Sequence, residues 1–570
     1  DKAQDFFHRR EETLRSQLSQ SLPSMSDKDR RALLDAIHEF FAEAYSFAYA
    51  NRESDPALAA RMYDLVLWQK ALALGSFTFA RHRAAAGSDP EATALVEQLA
   101  TKRSQLAAFV AQKRADSDEW RAAEEKLADE AVQIEREYTK RLGSHPATST
   151  ITPPPTWSDV KKQLREGDAA IEYLKFDFDD AAAHARKPLY VALVLTLDST
   201  QPALVTLGDA AALEADPLRA YRNSLTAAAH PDSSKFYEAF WKPLESALGG
   251  ATHIFVAPAG ALERVSFGVV TPGPGKVLLE KYDLHILPST RELVRNSAAH
   301  ADNTAVLLGN PDFALSDSKY RSALAAIDAV AKGIPPPAVP SDPAAADAKG
   351  ALAPMPESGV EVESISKLLR EKNWQVQLYE GPLAVEEAVR GAHSPRVLHI
   401  ATQAFYLPLS ESDDANSASE LPAGLDDPSL RSGLYFAGVD AVLSGAEPAS
   451  DVEDGILSAY EATGLDLSGT ELVVLRPPTG KADASSGREA VFGMPRAMLR
   501  AGADAVLTSL WPVPEKDSAD MVELFYKHWL GGDDKWAALR KAQLETRAKI
   551  IQRTGKDDPS KWGAWVLIGR

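Results

Sequence analysis

Residues 188–197, PLYVALVLTL, are apolar throughout apart from Thr196. Ten residues are too few to span a bilayer, which takes about 20 in a helix. The absence of polar alternation removes the option of a strand with one wet face. Such a run is a strand covered on both faces, and it commits the chain to a sheet with layers on either side. Shorter apolar runs of the same kind surround it: AIEYLKF, ALVTLG, THIFVAPAG and YDLHILPST, then AVLLGNPDF, WQVQLYEG, RVLHIATQ, ELVVLRPP and ADAVLTSLW. Helical patterns alternate with them, which predicts an α/β fold with mostly parallel strands. The two sets of runs predict two sheets or two halves.

Before these strands the pattern is helical. Trp120, Leu127, Ala131, Ile134, Tyr138 and Leu142 recur mostly at intervals of three or four, with charged residues between them. Gly143 and Pro146 end the run, as a C-cap glycine and a following proline do. Asp89-Pro90 opens this segment after RAAAG, so it is expected to fold back on a helix over 56–86. Residues 1–149 therefore read as long antiparallel helices, the end of a helical array of the tetratricopeptide kind. TPPPTW is the joint to the sheet region. Two stretches, 333–359 and 410–424, lack any periodic apolar face and read as mobile loops.

At 570 residues the chain is long enough for two to four domains. Its formal net charge of −19 repels phosphate backbones and anionic lipid, so neither nucleic acid nor membrane is an expected partner. Cysteine is absent, which excludes disulfides, thiolate metal sites and thiol nucleophiles. The opening DKAQDFFHRR has neither an initiator Met nor an apolar signal core. A fragment or processed chain is expected on that ground, its missing start hiding any targeting signal. The expected location is cytoplasmic.

The motif search excludes several chemistries. No G-x-S-x-G elbow, H-E-x-x-H helix, complete phosphate loop or dinucleotide fingerprint is present. PGPGKVLLEK has neither the first glycine at the right spacing nor a hydroxyl after Lys276, and reads as a turn. The 12 histidines are scattered without metal-ligand spacing. His253, His285 and His399 fall inside apolar strands and read as hydrogen-bonded core residues. Asp451, Glu453 and Asp454 read as a solvated loop with Asp454 near a helix N-cap. Neither a cofactor nor a metal is expected.

A set of blocks in order carries a resemblance: HIFVAPAGALERVSFGVV, LPSTRELV, LGNPDF, VLHIATQAF, LRSGLYFAG, DGILSAYEATGLDLSGTELVVL, VFGMPRAMLRAGADAVLTSLWPV and KWGAWVLIGR. Together they resemble the CHAT domain, the caspase-like clan CD unit commonly attached to tetratricopeptide repeats in bacteria. The resemblance implies two caspase-like halves, 150–300 and 301–570. Peptidases of this family use a histidine in an ATHG block and a cysteine in an LSACETG block. Here ATQA puts Gln403 at the histidine. Laying LRPPTGKADASSGREAVFG on the second block puts Pro478 at the cysteine and Arg476 at the preceding serine. His399 matches the family's non-catalytic strand histidine.

Such a site has no chemistry left. Glutamine does not exchange a proton near neutral pH, and proline has neither a nucleophile nor an N–H to offer an oxyanion. The expectation is a catalytically inactive member, a pseudoprotease that binds a protein or peptide. Its groove would be lined by Gln403, Phe405, Tyr406, Arg476, Pro477, Pro478 and Thr479. Arg476 has two readings, a partner for an acidic peptide or for a nearby carboxylate. Two alternatives remain open: a structural or assembly subunit acting through its helical arm, self-association included, and a rewired hydrolase using Thr479, Ser485 or Ser486.

Overall fold

The computed structural model describes residues 2–22, 25–74, 89–111, 118–142, 154–180, 185–226, 232–295, 302–341, 352–406, 429–446, 452–476 and 489–570. The helices of ten or more residues are α1 (Lys2–Ser21), α2 (Asp27–Ala50), α3 (Ala57–Leu74), α4 (Pro90–Ala111), α5 (Asp118–Leu142), α6 (Pro217–Thr226), α7 (Asp317–Ala331), α8 (Pro356–Glu371), α9 (Glu489–Arg500), α10 (Glu515–Leu530) and α11 (Lys535–Thr554). The strands are β1 (Asp168–Asp180), β2 (Ala185–Thr196), β3 (Ala203–Asp209), β4 (His253–Ala257), β5 (Asp283–Ile286), β6 (Thr304–Pro311), β7 (Gln375–Gly381), β8 (Val397–Ala401), β9 (Ala404–Tyr406), β10 (Ser432–Tyr435), β11 (Ile456–Ser458), β12 (Leu472–Leu475), β13 (Ala505–Ser509) and β14 (Trp565–Gly569).

The two sets of strands anticipated from the sequence are joined edge to edge. They form one 11-stranded sheet in the order β3-β2-β1-β4-β5-β14-β13-β12-β8-β6-β7. The seam is β14, parallel to β5 at Ile568 and Ile286 and antiparallel to β13. β1–β2 and β2–β3 are also antiparallel, and the remaining pairings are parallel. A second sheet of three short antiparallel strands, β11-β10-β9, stands beside the main one.

The apolar run behaves as its composition demands. In β2 the side chains alternate between two cores. Tyr190, Ala192 and Val194 pack with Phe236, Phe240 and Trp241 on one face. Leu189, Val191, Leu193 and Leu195 pack with Phe41, Tyr45, Tyr63 and Trp68 of α2 and α3 on the other. The first three helices are thus a layer of the sheet rather than a detached arm. Glu172 of β1 fixes that layer: it is buried, with Lys70 Nζ of α3 at 2.6 Å and the Thr290 N–H at 2.6 Å.

The segment from Asp89 differs from its expected course. It forms two helices, α4 and α5, which pack on one another. Asp89 caps α4 by accepting from the Ala92 N–H at 3.3 Å, and Arg141 near the end of α5 returns to it at 3.0 Å. Proline at the first helical position explains the fresh start, since its missing N–H has no partner to lose there. α4 leans on β11 of the small sheet and on the short helix Ala459–Ala462 after it, where the Arg103 guanidinium lies 4.2 Å from the Tyr460 ring centroid. Of the expected loops, 410–424 and 342–351 lie outside the described residues, while 356–359 already belong to α8. No helix among the described residues is long and apolar enough to cross a membrane.

Candidate functional site

β8 and β12 lie side by side and parallel, with Ile400 opposite Leu475. Their carboxyl ends are where an α/β sheet places its chemistry. Beyond β8 the chain turns a corner and enters the small sheet as β9. Gln403 sits on this corner, half-buried. Its backbone is pinned on both sides. The Tyr435 N–H donates to the Gln403 carbonyl at 2.9 Å, and the buried Thr402 hydroxyl donates to the Tyr435 carbonyl. Phe405 follows, stacked on Tyr435 with ring centroids 4.5 Å apart. The Tyr406 hydroxyl accepts from Arg431 Nη1 at 3.2 Å.

Gly433 of β10 makes the stack feasible. A Cβ there would stand 2.5 Å from Phe405 Cε1 and 2.7 Å from the Leu457 carbonyl oxygen. Only a residue without a side chain lets β9, β10 and β11 close around the ring.

Arg476 is buried in the fold at the end of β12. It is 5% exposed, and its Nη2 donates to Glu361 Oε2 at 2.6 Å. The other Glu361 oxygen, Oε1, is 3.0 Å from His399 Nε2, and the His399 ring stacks on Tyr526 with centroids 5.8 Å apart. Burial acts to raise the Glu361 carboxyl. The His399 hydrogen bond and the Arg476 charge outweigh it and hold the group below the usual carboxylate range. Of the two readings of Arg476, the nearby carboxylate is the one observed. His399 is the hydrogen-bonded core histidine its strand suggested.

Pro477, Pro478, Thr479, Ser485 and Ser486 lie outside the described residues. Among the groove candidates, the structure therefore brings together Gln403, Phe405 and Tyr406. Phe405 is itself 8% exposed and serves as the floor of the corner.

The acidic run near 453 also departs from expectation. Asp454 is buried, its Oδ1 accepting from the Ile456 N–H at 2.8 Å and its Oδ2 from the Ser104 hydroxyl of α4 at 3.2 Å. The helix cap is Ser458, in a reciprocal box with Glu461. Arg390 gathers the surrounding carboxylates, with Glu386 at 2.6 Å, Glu461 at 2.7 Å and Glu453 at 3.2 Å. Burial pushes Glu386 and Asp454 well above the usual carboxylate range. The sequence hides this because Glu386 and Arg390 come from a helix some 65 residues upstream.

The chain contains no cysteine, so the Cys-His dyad of the family's peptidases is absent. Gln403 offers an amide, able to donate and accept hydrogen bonds but not to carry a proton.

The CHAT domain family model matches residues 230–570. The chain belongs to the CHAT domain family. Tetratricopeptide repeat protein 28 of Homo sapiens is 28% identical over 361 residues, and that of Mus musculus is 27% identical over 366. These matches take in 60% and 61% of this chain but 13% of each relative's length. Among solved structures, the Arg-specific cysteine proteinase gingipain R aligns with a TM-score of 0.30 and 9% identity, over 59% of this chain and 65% of its own.

Proposed function

We propose that this CHAT-domain chain is a pseudoprotease, a regulator or adaptor that holds a protein or peptide segment without cutting it. The observation that carries the reading is Gln403: an amide at the position of the family's catalytic histidine, in a chain without cysteine, on a backbone pinned to Tyr435. The groove would run along the Gln403–Tyr406 corner, over Phe405. An extended segment would pair with the corner's backbone and with the Gln403 amide, and the Tyr406 ring would take an apolar side chain. Both relatives are named for tetratricopeptide repeats, a helical architecture given to protein recognition, which supports a protein rather than a small-molecule partner.

The test is panning of a random extended-peptide library on the full chain and on Gln403→Trp. Enriched peptides that bind wild type, lose at least tenfold in the variant and keep intact ends by mass spectrometry support the proposal. Peptides recovered with new ends would overturn it in favour of a hydrolase using a loop hydroxyl. Binding indifferent to Gln403→Trp would move recognition to the helices.

A further inference from the structure

His253 and His285 read singly as core residues, yet the fold brings them together. β4 and β5 are parallel neighbours with His253 opposite Asp283. Asp283 and His285 are two apart on β5 and so share a face. The two Nε2 atoms approach to 2.8 Å, and Asp283 Oδ2 lies 3.7 Å from His253 Nε2 and 3.5 Å from His285 Nε2. Three donor atoms from three side chains converge on one point.

We propose that His253, Asp283 and His285 form a binding site for a divalent transition-metal ion, Zn2+ first among them. Neighbouring ligand atoms around tetrahedral Zn2+ with bonds of about 2.0–2.1 Å stand about 3.3–3.4 Å apart. The three separations here, 2.8, 3.5 and 3.7 Å, bracket that value. Two imidazoles and one carboxylate are a Zn2+ ligand set that leaves a fourth position for water or an exogenous donor. That position faces outward, because the His253 and Asp283 side chains are 32% and 26% exposed while His285 is 3% exposed.

The second shell fits the same purpose. Asp168, the first residue of β1, places Oδ1 2.8 Å from His253 Nδ1 and receives the Arg165 N–H on its other oxygen at 2.8 Å. A carboxylate on the far nitrogen fixes the tautomer that leaves Nε2 with a free lone pair, the usual support of a metal-bound histidine. The His285 ring is held by stacking on Trp536, 4.3 Å between centroids and 11° between planes. Its Nδ1 is buried without a hydrogen-bond partner, so the Trp536 stack rather than a hydrogen bond orients this ring. Arg540, the neighbouring cation, is committed to the carbonyls of Leu279 and Glu280 at 2.8 and 3.0 Å.

β5 is parallel to β14, and β14 is antiparallel to β13 and β12. The amino ends of β4 and β5 therefore share one edge of the sheet with the carboxyl ends of β8 and β12. A cation there would tie β1, β4 and β5 together at that edge.

A shared proton between the two rings would also account for the 2.8 Å approach, and binding measurements separate the two. Full-length protein dialysed against chelator and then against buffer is titrated with Zn2+ by calorimetry, with bound metal counted by elemental analysis. The proposal expects one Zn2+ per chain, lost by at least 100-fold in His253→Asn and in Asp283→Asn. It also expects about 10–100-fold weakening in Asp168→Asn, and no change in His528→Gln at another histidine–carboxylate cluster. Circular dichroism and thermal unfolding of each zinc-free variant confirm that loss of binding is not loss of fold. Absence of saturable Zn2+ binding by wild type overturns the proposal, as does wild-type affinity in folded His253→Asn and Asp283→Asn, and the pair is then a proton-sharing one.

Discussion

Arg476 and Glu361 form a buried ion pair, Nη2 to Oε2 at 2.6 Å, with 4% and 1% of their side chains exposed. The partners are 115 positions apart in the chain, and their contact ties the end of β12 to α8. Removing one partner of such a pair leaves the other charged in a medium that solvates it poorly. Arg476→Ala should therefore cost about 3–5 kcal/mol in urea unfolding. Arg476→Met with Glu361→Gln, which keeps an acceptor for His399, should cost clearly less than the two single changes added together. Simple additivity would mean that the two groups do not interact energetically.

Two carboxylates predict opposite responses to pH. Glu361 is held below its ordinary value, so its contribution is present above that value and is lost as pH falls through the lower folded one. Asp64 is raised from 3.8 to about 6, chiefly by burial, with the Trp157 N–H opposing. Its proton is bound more tightly in the folded chain, so that contribution is present below about pH 4 and lost as pH rises through about 6. Asp64→Asn keeps an acceptor for Trp157. It should add roughly 1 kcal/mol or less at pH 7, after solvent screening, and nothing at pH 4. Stability curves at the two pH values check the sign.

Gly433→Ala should cost about 1–3 kcal/mol, the range for overpacking a filled site. Pairing it with Phe405→Leu should recover part of that cost by moving the ring edge away. The Leu457 carbonyl, 2.7 Å from the added carbon, keeps the recovery incomplete. Denaturant midpoints of the single and double variants measure both effects.

Gln403→His restores one member of the family's dyad without a thiol to activate. Fluorogenic peptide hydrolysis should stay at the buffer rate. The change should leave stability within about 0.5 kcal/mol, since the position is partly solvent-exposed. Turnover appearing in this variant would bring Thr479, Ser485 and Ser486 into consideration as nucleophiles.

Most strands of the main sheet are legible in the sequence as short runs rich in apolar residues, as 188–197 is. β14 is hidden inside the closing block KWGAWVLIGR, and β9, β10 and β11 are three or four residues each, too short for a period to register. The direction of Arg476 was recoverable from strand alternation. Leu472 and Val474 share a core with Val397 and Ala401, so a residue two further on faces the same layer as His399. What could not be read is the partner, because Glu361 comes from a distant helix. The same limit applies to His253. Asp283-Leu284-His285 displays its spacing in the sequence, but the register of β4 against β5 supplies the third ligand.

The seam at β14 has a consequence for how the chain is made. Ile286 and Ile568 are pairing partners with about 280 residues between them, which a ribosome working at about 5–20 residues per second adds in roughly a quarter-minute to a minute. Throughout that interval the edge of β5 stands uncovered, with unpaired backbone groups open to any strand nearby. A nascent chain whose synthesis has reached only residue 560 holds two half-sheets and no joint. Chaperone protection over that window would shield the open edge until β14 arrives.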